Sequence, residues 1–317
     1  MKEHIRLEAV VPSELHGKRV DLAAAALWPA YSRGKLQSWI KQGGLQVDGS
    51  VVQPKQAVAV GSKLTIDTEL EAVVTWQAES MPLNLLYHDD DIIVVNKPVG
   101  LVVHPGAGNW DGTLVNALLA FDPTLEQLPR AGIVHRLDKD TSGVMVVARS
   151  QLAHHTLVEA LQAREVSRHY IAIAHGALTG GGKVDAPIGR HPTARKKMAV
   201  VDYGKPAVTH FNLVQRYRHF TQLKLSLETG RTHQIRVHMA HRKNPLVGDS
   251  VYGGRSRIPA DSDQVLVDAI RYFPRQALHA EQLSFQHPAS GDWVSFHAPI
   301  PEDLQNLIDV LDRYDRA

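Results

Sequence analysis

Residues 131–149 have the sequence AGIVHRLDKDTSGVMVVAR, and the rest of the chain can be interpreted around them. Two apolar, β-branched runs at 132–134 and 144–148 flank a polar segment, residues 135–143. Runs of this kind favour buried strands. The polar segment carries five ionisable side chains and ends in Ser-Gly, which is a turn signal. We therefore predict two strands joined by a charged loop, so that a rigid core holds reactive groups at its edge.

The charged loop contains two aspartates that are candidates for chemistry. Asp138 lies two residues after Arg136 and next to Lys139, and nearby positive charge favours an ionised carboxylate. An ionised aspartate can act as a nucleophile or as a base. Asp140 follows two residues later, and the chemistry of the residues does not choose between the two. The alternative is an ordinary loop in which both acids are solvated.

Composition limits the classes of protein that the chain can belong to. It has 317 residues, of which 44% are hydrophobic and 21% are charged, as in ordinary globular proteins. The absence of cysteine excludes disulfides, thiol catalysis and cysteine-ligated zinc. No apolar run approaches the roughly 20 residues that span a bilayer. The N-terminus carries charges where a signal peptide needs an apolar core, so we expect a cytoplasmic location.

The charges are unevenly distributed although the formal net charge is only +2. Basic residues gather at 33–41, 190–197 and 231–243, whereas acidic residues gather elsewhere in the chain. This segregation predicts a positive face able to bind phosphates. Solvated surface charge is the alternative interpretation.

Residues 16–66 predict a compact unit of helices and short strands. The predicted elements are helices over 18–27 and 33–42, the second capped by Ser32, and strands over 45–47, 51–52 and 63–66. In the second helix, apolar residues share one face and cations are exposed. The apolar residues are Leu36, Trp39 and Ile40, with Trp39 expected in the core, and the cations are Arg33, Lys35 and Lys41.

Residues 67–82 are the predicted linker, and the pattern beyond them indicates a mixed α+β sheet domain. We place the boundary after residue 76, which gives units 1–76 and 77–317. Strands are predicted over 91–96, 170–174, 222–227 and 292–297, with helices over 114–121 and 151–163 and after Pro301. The inward faces are predicted to be Leu152, Leu157, Val158 and Leu161 in the second of these helices, and Leu304, Leu307, Ile308 and Leu311 in the last.

A second group of candidate residues lies in GRTHQIRVHMAH, residues 230–241. The pattern predicts a helix that begins near Thr232. Arg231 then lies just before its first residue, and Arg236 lies about one turn further on. His238 and His241 share a helical face, and His233 lies about one turn before them, so a zinc site is conceivable. However, no acidic residue stands at helical spacing, and the arginines would repel a cation. We therefore expect no zinc site here. Residues 104–109 are rich in glycine but lack the GKS/T of a P-loop.

Tyr170 is a third candidate, at the head of a predicted strand after SRH. A tyrosine there usually packs in the core or at an edge. If it faces the same cleft as Asp138, it can stack on a planar substrate.

Two parts of the chain resemble known families. SRGKLQSWI followed by GLQVDG resembles the S4 RNA-binding domain, over residues 16–66. HRLDKDTSG, SRHYIAIAHG, GRTHQIRVHMAHRKNPLVGD and NKPVGLVVHPG resemble the pseudouridine synthases of the RluA family and keep the family's motif order. This resemblance implies a mainly antiparallel sheet with flanking helices in the catalytic domain.

The resemblance also implies roles for individual residues. Asp138 corresponds to the catalytic aspartate, and Asp140 is then part of the loop structure. Tyr170 corresponds to the tyrosine that packs against the target base, and Arg236, not Arg231, to the arginine that pairs with the aspartate. Arg136 corresponds to the arginine that enters the RNA. Arg231 and the three cations of the S4-like unit are candidate contacts for RNA.

The implied reaction is the isomerisation of uridine to pseudouridine after the base is flipped out of the RNA, with no cofactor and no metal. Finer stretches such as GRHPTARKKMAV and LVGDSVYGGR resemble members that act on 23S ribosomal RNA, and imply several uridines of the helix 69 stem-loop. The partner is then ribosomal RNA or an assembling large subunit, and the chain is expected to be a monomer. The alternatives are a catalytically idle, S4-type ribosome-assembly factor and a glycoside hydrolase, which would need a second carboxylate.

Overall fold

A computed structural model describes residues 3–316 except 32, 71–75, 107–108, 195–196, 255–257, 259 and 261. The predicted helix cap Ser32 and part of the predicted linker lie outside the described residues. The chain forms two compact units, residues 1–75 and 76–317. None of the described helices is both long and apolar enough to cross a membrane.

The first unit packs two helices on an antiparallel sheet. Its elements are β1 (Glu3–Val10), α1 (Val20–Leu27), α2 (Arg33–Gln42), β2 (Leu45–Val47), β3 (Ser50–Val51) and β4 (Lys63–Leu70), with strand order β1-β4-β2-β3. The predicted inward residues of α2 are buried, and Trp39 is in the core as expected. Asp48 and Gly49 both have positive φ, which is the backbone that a two-residue hairpin turn requires.

Strand β1 was not predicted from the sequence, and the linker prediction was wrong over residues 67–70. Those residues belong to β4, because β1 pairs with it from Val10↔Lys63 to Glu3↔Leu70. The signal was available, since Ile5, Leu7 and Ala9 alternate with polar or charged residues, as in a half-buried strand.

The second unit is built on one large sheet. Its strands are β5 (Leu85–His88), β6 (Ile92–Lys97), β7 (Ser142–Ala148), β8 (Ser167–His175), β9 (Gly182–Asp185), β10 (Ile188–Arg190), β11 (Met198–Val200), β12 (Val208–Arg216), β13 (Phe220–Leu227), β14 (Leu278–Gln286) and β15 (Trp293–His297). Its helices are α3 (Leu114–Phe121), α4 (Gln151–Ala163), α5 (Gln234–His241), α6 (Gln264–Arg271) and α7 (Glu302–Tyr314).

The strand order of this sheet is β5-β6-β7-β14-β8-β13-β12-β9, with β15 beside β14, among the described residues. The pairing of β7 with β14 is parallel and the other neighbours are antiparallel. The prediction of a mixed, mainly antiparallel α+β fold is therefore confirmed. β10 and β11 form a separate hairpin.

Apolar side chains cover both faces of the sheet at its centre. Successive residues of β8 point to opposite faces, so Ala172 joins the core that contains β6 and β7, whereas Ile171 and Ile173 pack with α6 and α7. The predicted stripe of α7 is buried there. Every residue of β7 is buried. The strand that follows the charged loop is thus held from both sides.

Two local predictions were wrong. Residues 132–134 are not a strand, because Pro129–Gly132 forms a tight turn in which Arg130 and Ala131 adopt left-handed backbone, and Ile133 makes only an isolated bridge to Val147. Gly132 has a φ of +78° and lies so close to Ala148 that a Cβ would collide with its carbonyl oxygen. Leu152 is 58% exposed, and the neighbouring Ala153 is buried in its place.

Gly143 offers a test of how tightly β7 and β14 pack. Its φ is +120°, and a Cβ would collide with the backbone of Ala280. We expect Gly143→Ala to lower the free energy of unfolding by about 3 kcal/mol or more, since strain and overpacking add. Gly291→Ala is the control, because Gly291 has a φ of +74° in open space, and it should cost about 1 kcal/mol. Equal urea midpoints for the two variants would contradict the prediction.

Candidate active site

Asp138 and Arg236 meet although they lie 98 positions apart in the sequence. The Arg236 Nη1 donates a hydrogen bond to the Asp138 Oδ2 at 2.9 Å. The same guanidinium binds Asp249 through two further hydrogen bonds, of 2.8 and 3.0 Å. Arg236 and Asp249 are buried, at 5% and 3% exposure, while the Asp138 side chain keeps 17%. Asp138 is therefore the member of this cluster that solvent or a substrate can reach.

Electrostatics keep Arg236 and Asp249 ionised. Burial opposes the charge of Arg236, but the hydrogen bonds and negative charge of Asp249, and then of Asp138, raise its pKa above the usual value. Burial likewise opposes the charge of Asp249, yet Arg236 and the amides of Val251 and Tyr252 lower its pKa. The guanidinium is thus a permanent positive charge beside Asp138.

His233 and Tyr252 complete the surroundings of Asp138. The Tyr252 ring lies 5.1 Å from the Arg236 guanidinium carbon, and its hydroxyl is 2.8 Å from the His233 Nδ1. The His233 Nε2 is 3.7 Å from the Asp138 Oδ1. The helix predicted from near Thr232 begins at Gln234 instead, because His233 adopts a left-handed backbone with a φ of 56°. No role for Asp249, Tyr252 or His233 was predicted from the sequence.

Lys97 holds the back of the charged loop. Its Nζ donates to the carbonyl oxygens of Pro98, Leu101 and Lys139, at 2.8 to 2.9 Å. The side chain is fully buried, and burial lowers its pKa to about 7, although the charges of Asp140 and Asp138 oppose that shift. The backbone next to Asp138 is therefore fixed by a buried donor on a neighbouring strand.

Other polar groups hold the remainder of the loop. The Arg275 Nη1 contacts the Asp140 carbonyl oxygen at 3.3 Å, and the Gln276 amide donates to the Thr141 hydroxyl at 3.1 Å. His135 acts at the start of the loop, where its Nε2 accepts a hydrogen bond of 3.1 Å from the Val146 amide. Burial, helped by the charge of Arg168, lowers the pKa of His135 to about 3, so the ring is neutral and can accept that bond.

Asp138 opens into a cavity of about 840 Å³ within the second unit. Tyr170, Arg136 and Arg231 also line it, so the structure brings these candidate residues together around Asp138. Tyr170 is 7% exposed, and burial raises the pKa of its hydroxyl. Arg136 is exposed, whereas the Nε of Arg231 donates to the Pro206 carbonyl oxygen at 3.1 Å.

The described lining of this cavity is strongly basic. It contains six arginines and two carboxylates. The arginines are Arg130, Arg136, Arg164, Arg168, Arg231 and Arg236, and the carboxylates are Asp138 and Glu228. Glu228 pairs with Arg164 at 2.8 Å and Asp138 with Arg236, so the other four have no carboxylate within 4.0 Å among the described residues. Unpaired guanidinium groups around a cavity suit a polyanionic substrate.

The other candidate cations lie in the first unit. Arg33 pairs at 2.8 Å with Asp21, which is fully buried and also binds Arg19. Lys35 stands 5.3 Å from the Trp39 ring centroid, and Lys41 is exposed. Arg33 therefore has a structural partner as well as solvent exposure.

The three histidines weighed as zinc ligands have other surroundings: His233 contacts Tyr252, and His241 is exposed. His238 is buried, and its ring nitrogens contact the Thr209 hydroxyl at 2.9 Å and the Ala186 carbonyl oxygen at 3.0 Å. No group of acidic residues and histidines in the described part of the chain could hold a metal ion.

Two family models and many known proteins match the sequence of this chain. The family model described as RNA pseudouridylate synthase matches residues 91–241, and that of the S4 domain matches residues 18–64. Ribosomal large subunit pseudouridine synthase D of Pseudomonas aeruginosa is 54% identical over 316 residues, covering 100% of this chain and 98% of the relative. The enzyme of the same name from Vibrio parahaemolyticus is 52% identical, covering 98% and 96%.

Solved structures agree on the fold. Human RNA Pseudouridylate Synthase Domain Containing 4 matches with a TM-score of 0.57 and 26% identity, over 73% of this chain and 94% of that chain. Human RNA Pseudouridylate Synthase Domain Containing 1 matches with a TM-score of 0.53 and 24% identity, over 74% and 97%.

The neutral ring of His135 predicts a loss of stability in acid. Its folded pKa of about 3 lies below the ordinary 6.5, so between these values the unfolded chain binds a proton that the folded chain does not. Stability from this group is complete above pH 6.5 and is lost as the pH falls toward 3. We expect the stability advantage of the wild type over His135→Gln to shrink by up to about 1.4 kcal/mol per pH unit there. An advantage that stays constant with pH in urea unfolding would contradict this.

Proposed function

The chain belongs to the RNA pseudouridylate synthase family, and from that we propose that it converts uridine to pseudouridine in 23S large-subunit ribosomal RNA, with Asp138 as the catalytic residue. The observation that carries the proposal is the solvent-accessible Asp138 carboxylate, bound to Arg236 inside a cavity lined with arginines. The names of the relatives support ribosomal RNA as the substrate. An idle RNA-binding assembly factor would have no need of such an organised carboxylate.

The geometry suits the chemistry of this isomerisation. The bond from C1′ to N1 of the base breaks, the uracil turns, and C1′ bonds to C5, which loses its hydrogen while N1 gains one. Positive charge develops on the sugar, and the fixed Asp138 carboxylate stabilises it whether or not it attacks covalently. Tyr170, in the wall of the same cavity, packs against the base.

The target base must leave the RNA helix before it can reach Asp138, at a cost of a few kcal/mol. Arg136 is exposed at the cavity and adjoins Leu137 and Asp138 in the loop. A guanidinium there can enter the space that the base leaves, stack on its neighbours and contact phosphate. Arg231 supplies a further phosphate contact at the cavity.

The particular uridines that the enzyme modifies are proposed from the resemblance of its sequence to members of the family that act on 23S ribosomal RNA. We assign several uridines of the helix 69 stem-loop as the sites, in free RNA or in an assembling subunit, with a monomeric enzyme in the cytoplasm and no cofactor. Mapping pseudouridines in ribosomal RNA from cells that lack the protein tests this: loss at helix 69 supports the assignment, and loss elsewhere moves the target.

Asp138→Asn tests the catalytic role. The amide keeps the shape of the side chain but cannot stabilise the sugar cation, so we expect pseudouridine formation to fall by about four orders of magnitude, as in other enzymes that lose an essential group. RNA affinity and the melting temperature should stay close to wild type. Asp140→Asn is the matched control from the same loop and should remain active. Substantial conversion by Asp138→Asn would remove Asp138 from the mechanism.

The cations of α2 give a test of the S4-like unit. Replacing Arg33, Lys35 and Lys41 with glutamine should weaken RNA binding and reduce the slope of log Kd against log salt by up to about 0.9 for each phosphate that the protein no longer neutralises. Conversion at saturating short RNA should persist, because Asp138 is untouched. Lys55→Gln, an exposed cation elsewhere in the unit, is the control. An unchanged slope in the triple variant would show that these cations are only solvated.

A further inference from the structure

Arg168 differs from the other cations of the cavity. Among the described lining residues it is the one arginine that is buried, at 7% exposure, and has no carboxylate partner. Its Nε has no hydrogen-bond partner, and its Nη2 reaches only the carbonyl oxygens of Leu227 and Glu228, both at 3.4 Å. The Glu228 carboxylate pairs with Arg164 instead.

A buried cation with an unsatisfied hydrogen-bond donor is rare in native proteins. Such a group indicates that the donor binds a ligand and not another part of the chain. The space around Arg168 is kept open by Gly230, where a Cβ would stand 2.8 Å from the Arg168 Nη1. The guanidinium is therefore held beside the cavity without being neutralised there.

The position of Arg168 in the sheet indicates which part of a substrate it can contact. Arg168 and Tyr170 are alternate residues of β8, so their side chains leave the same face roughly 6.6 Å apart along the strand. Both line the cavity into which Asp138 opens. A planar base that packs on Tyr170 consequently has its edge within reach of the Arg168 guanidinium.

We propose that Arg168 donates hydrogen bonds to a carbonyl oxygen of the target uracil and stabilises the negative charge that the base acquires during the reaction. When the bond between C1′ and N1 breaks, its electron pair stays on the uracil and spreads to the carbonyl oxygens. Asp138 then faces the positive sugar, and Arg168 faces the negative base. This role rests on the proposed function, and it adds a second catalytic charge to it.

Single-turnover kinetics of the full chain on a 23S ribosomal RNA transcript test this role. Arg168→Gln should slow pseudouridine formation by about 100-fold, the usual loss when one donor to a developing oxyanion is removed. RNA affinity should fall far less than the rate, because the contact strengthens only as charge develops. Arg168→Lys, which keeps the charge without the planar fork, should be intermediate. Arg164→Gln is the matched control, since Arg164 lines the same cavity but pairs with Glu228.

The acceptor is identified by changing the substrate. Transcripts that carry 4-thiouridine or 2-thiouridine present sulfur, a weaker acceptor, so one of them should slow the wild type while Arg168→Gln is insensitive to it. If Arg168→Gln does not fold, the same comparison is made between the wild type and Arg168→Lys. Weaker RNA binding with an unchanged rate at saturation would mean a phosphate contact and would overturn the proposal.

The role of Arg168 and the proposed function can be contradicted separately. Wild-type protein that forms no pseudouridine in any RNA would overturn the proposed function and this role with it. An active wild type with equally active Arg168 variants would overturn the role of Arg168 alone.

Discussion

The guanidinium of Arg236 organises the site around Asp138. Buried at 5% exposure, it needs a fixed counter-charge, and Asp249 provides one through two hydrogen bonds. Those bonds use Nε and Nη2, so Nη1 remains directed at Asp138. The orientation of the Asp138 carboxylate is thus set by a buried ion pair between Arg236 and Asp249.

The backbone of the loop is fixed independently of that ion pair. Lys97, Arg275 and Gln276 bind the segment from Lys139 to Thr141, and His135 binds the strand that follows. The three donors come from β6 and from the approach to β14, whereas His135, in the loop itself, accepts its hydrogen bond from the Val146 amide. A carboxylate held in this way needs little reorganisation when charge develops on a substrate, which is the condition for electrostatic catalysis.

The charge of the cavity explains how a nearly neutral chain can suit RNA. The formal net charge is +2, yet four arginines at the cavity have no carboxylate partner in the described part of the chain. Salt bridges elsewhere, such as that of Arg149 with Asp122, neutralise cations that serve the fold. The unpaired positive charge therefore lies at the cavity, where the negative groups of a polyanion can act as its counter-charges.

Local signals in the sequence were sufficient for most of the helices, though not for α6, and for the position of the charged loop. Helices at 33–42, 114–121 and 151–163 and the Asp48-Gly49 turn follow from periodicity, caps and turn residues, which act within a few positions. The same signals placed Asp138 in a charged loop before a buried strand. Which charges meet, in contrast, depends on the tertiary structure. Arg236, Asp249 and Lys97 reach the loop across the sheet, and Arg168 is left without a counter-charge, because strand order and burial join residues that no spacing in the sequence connects.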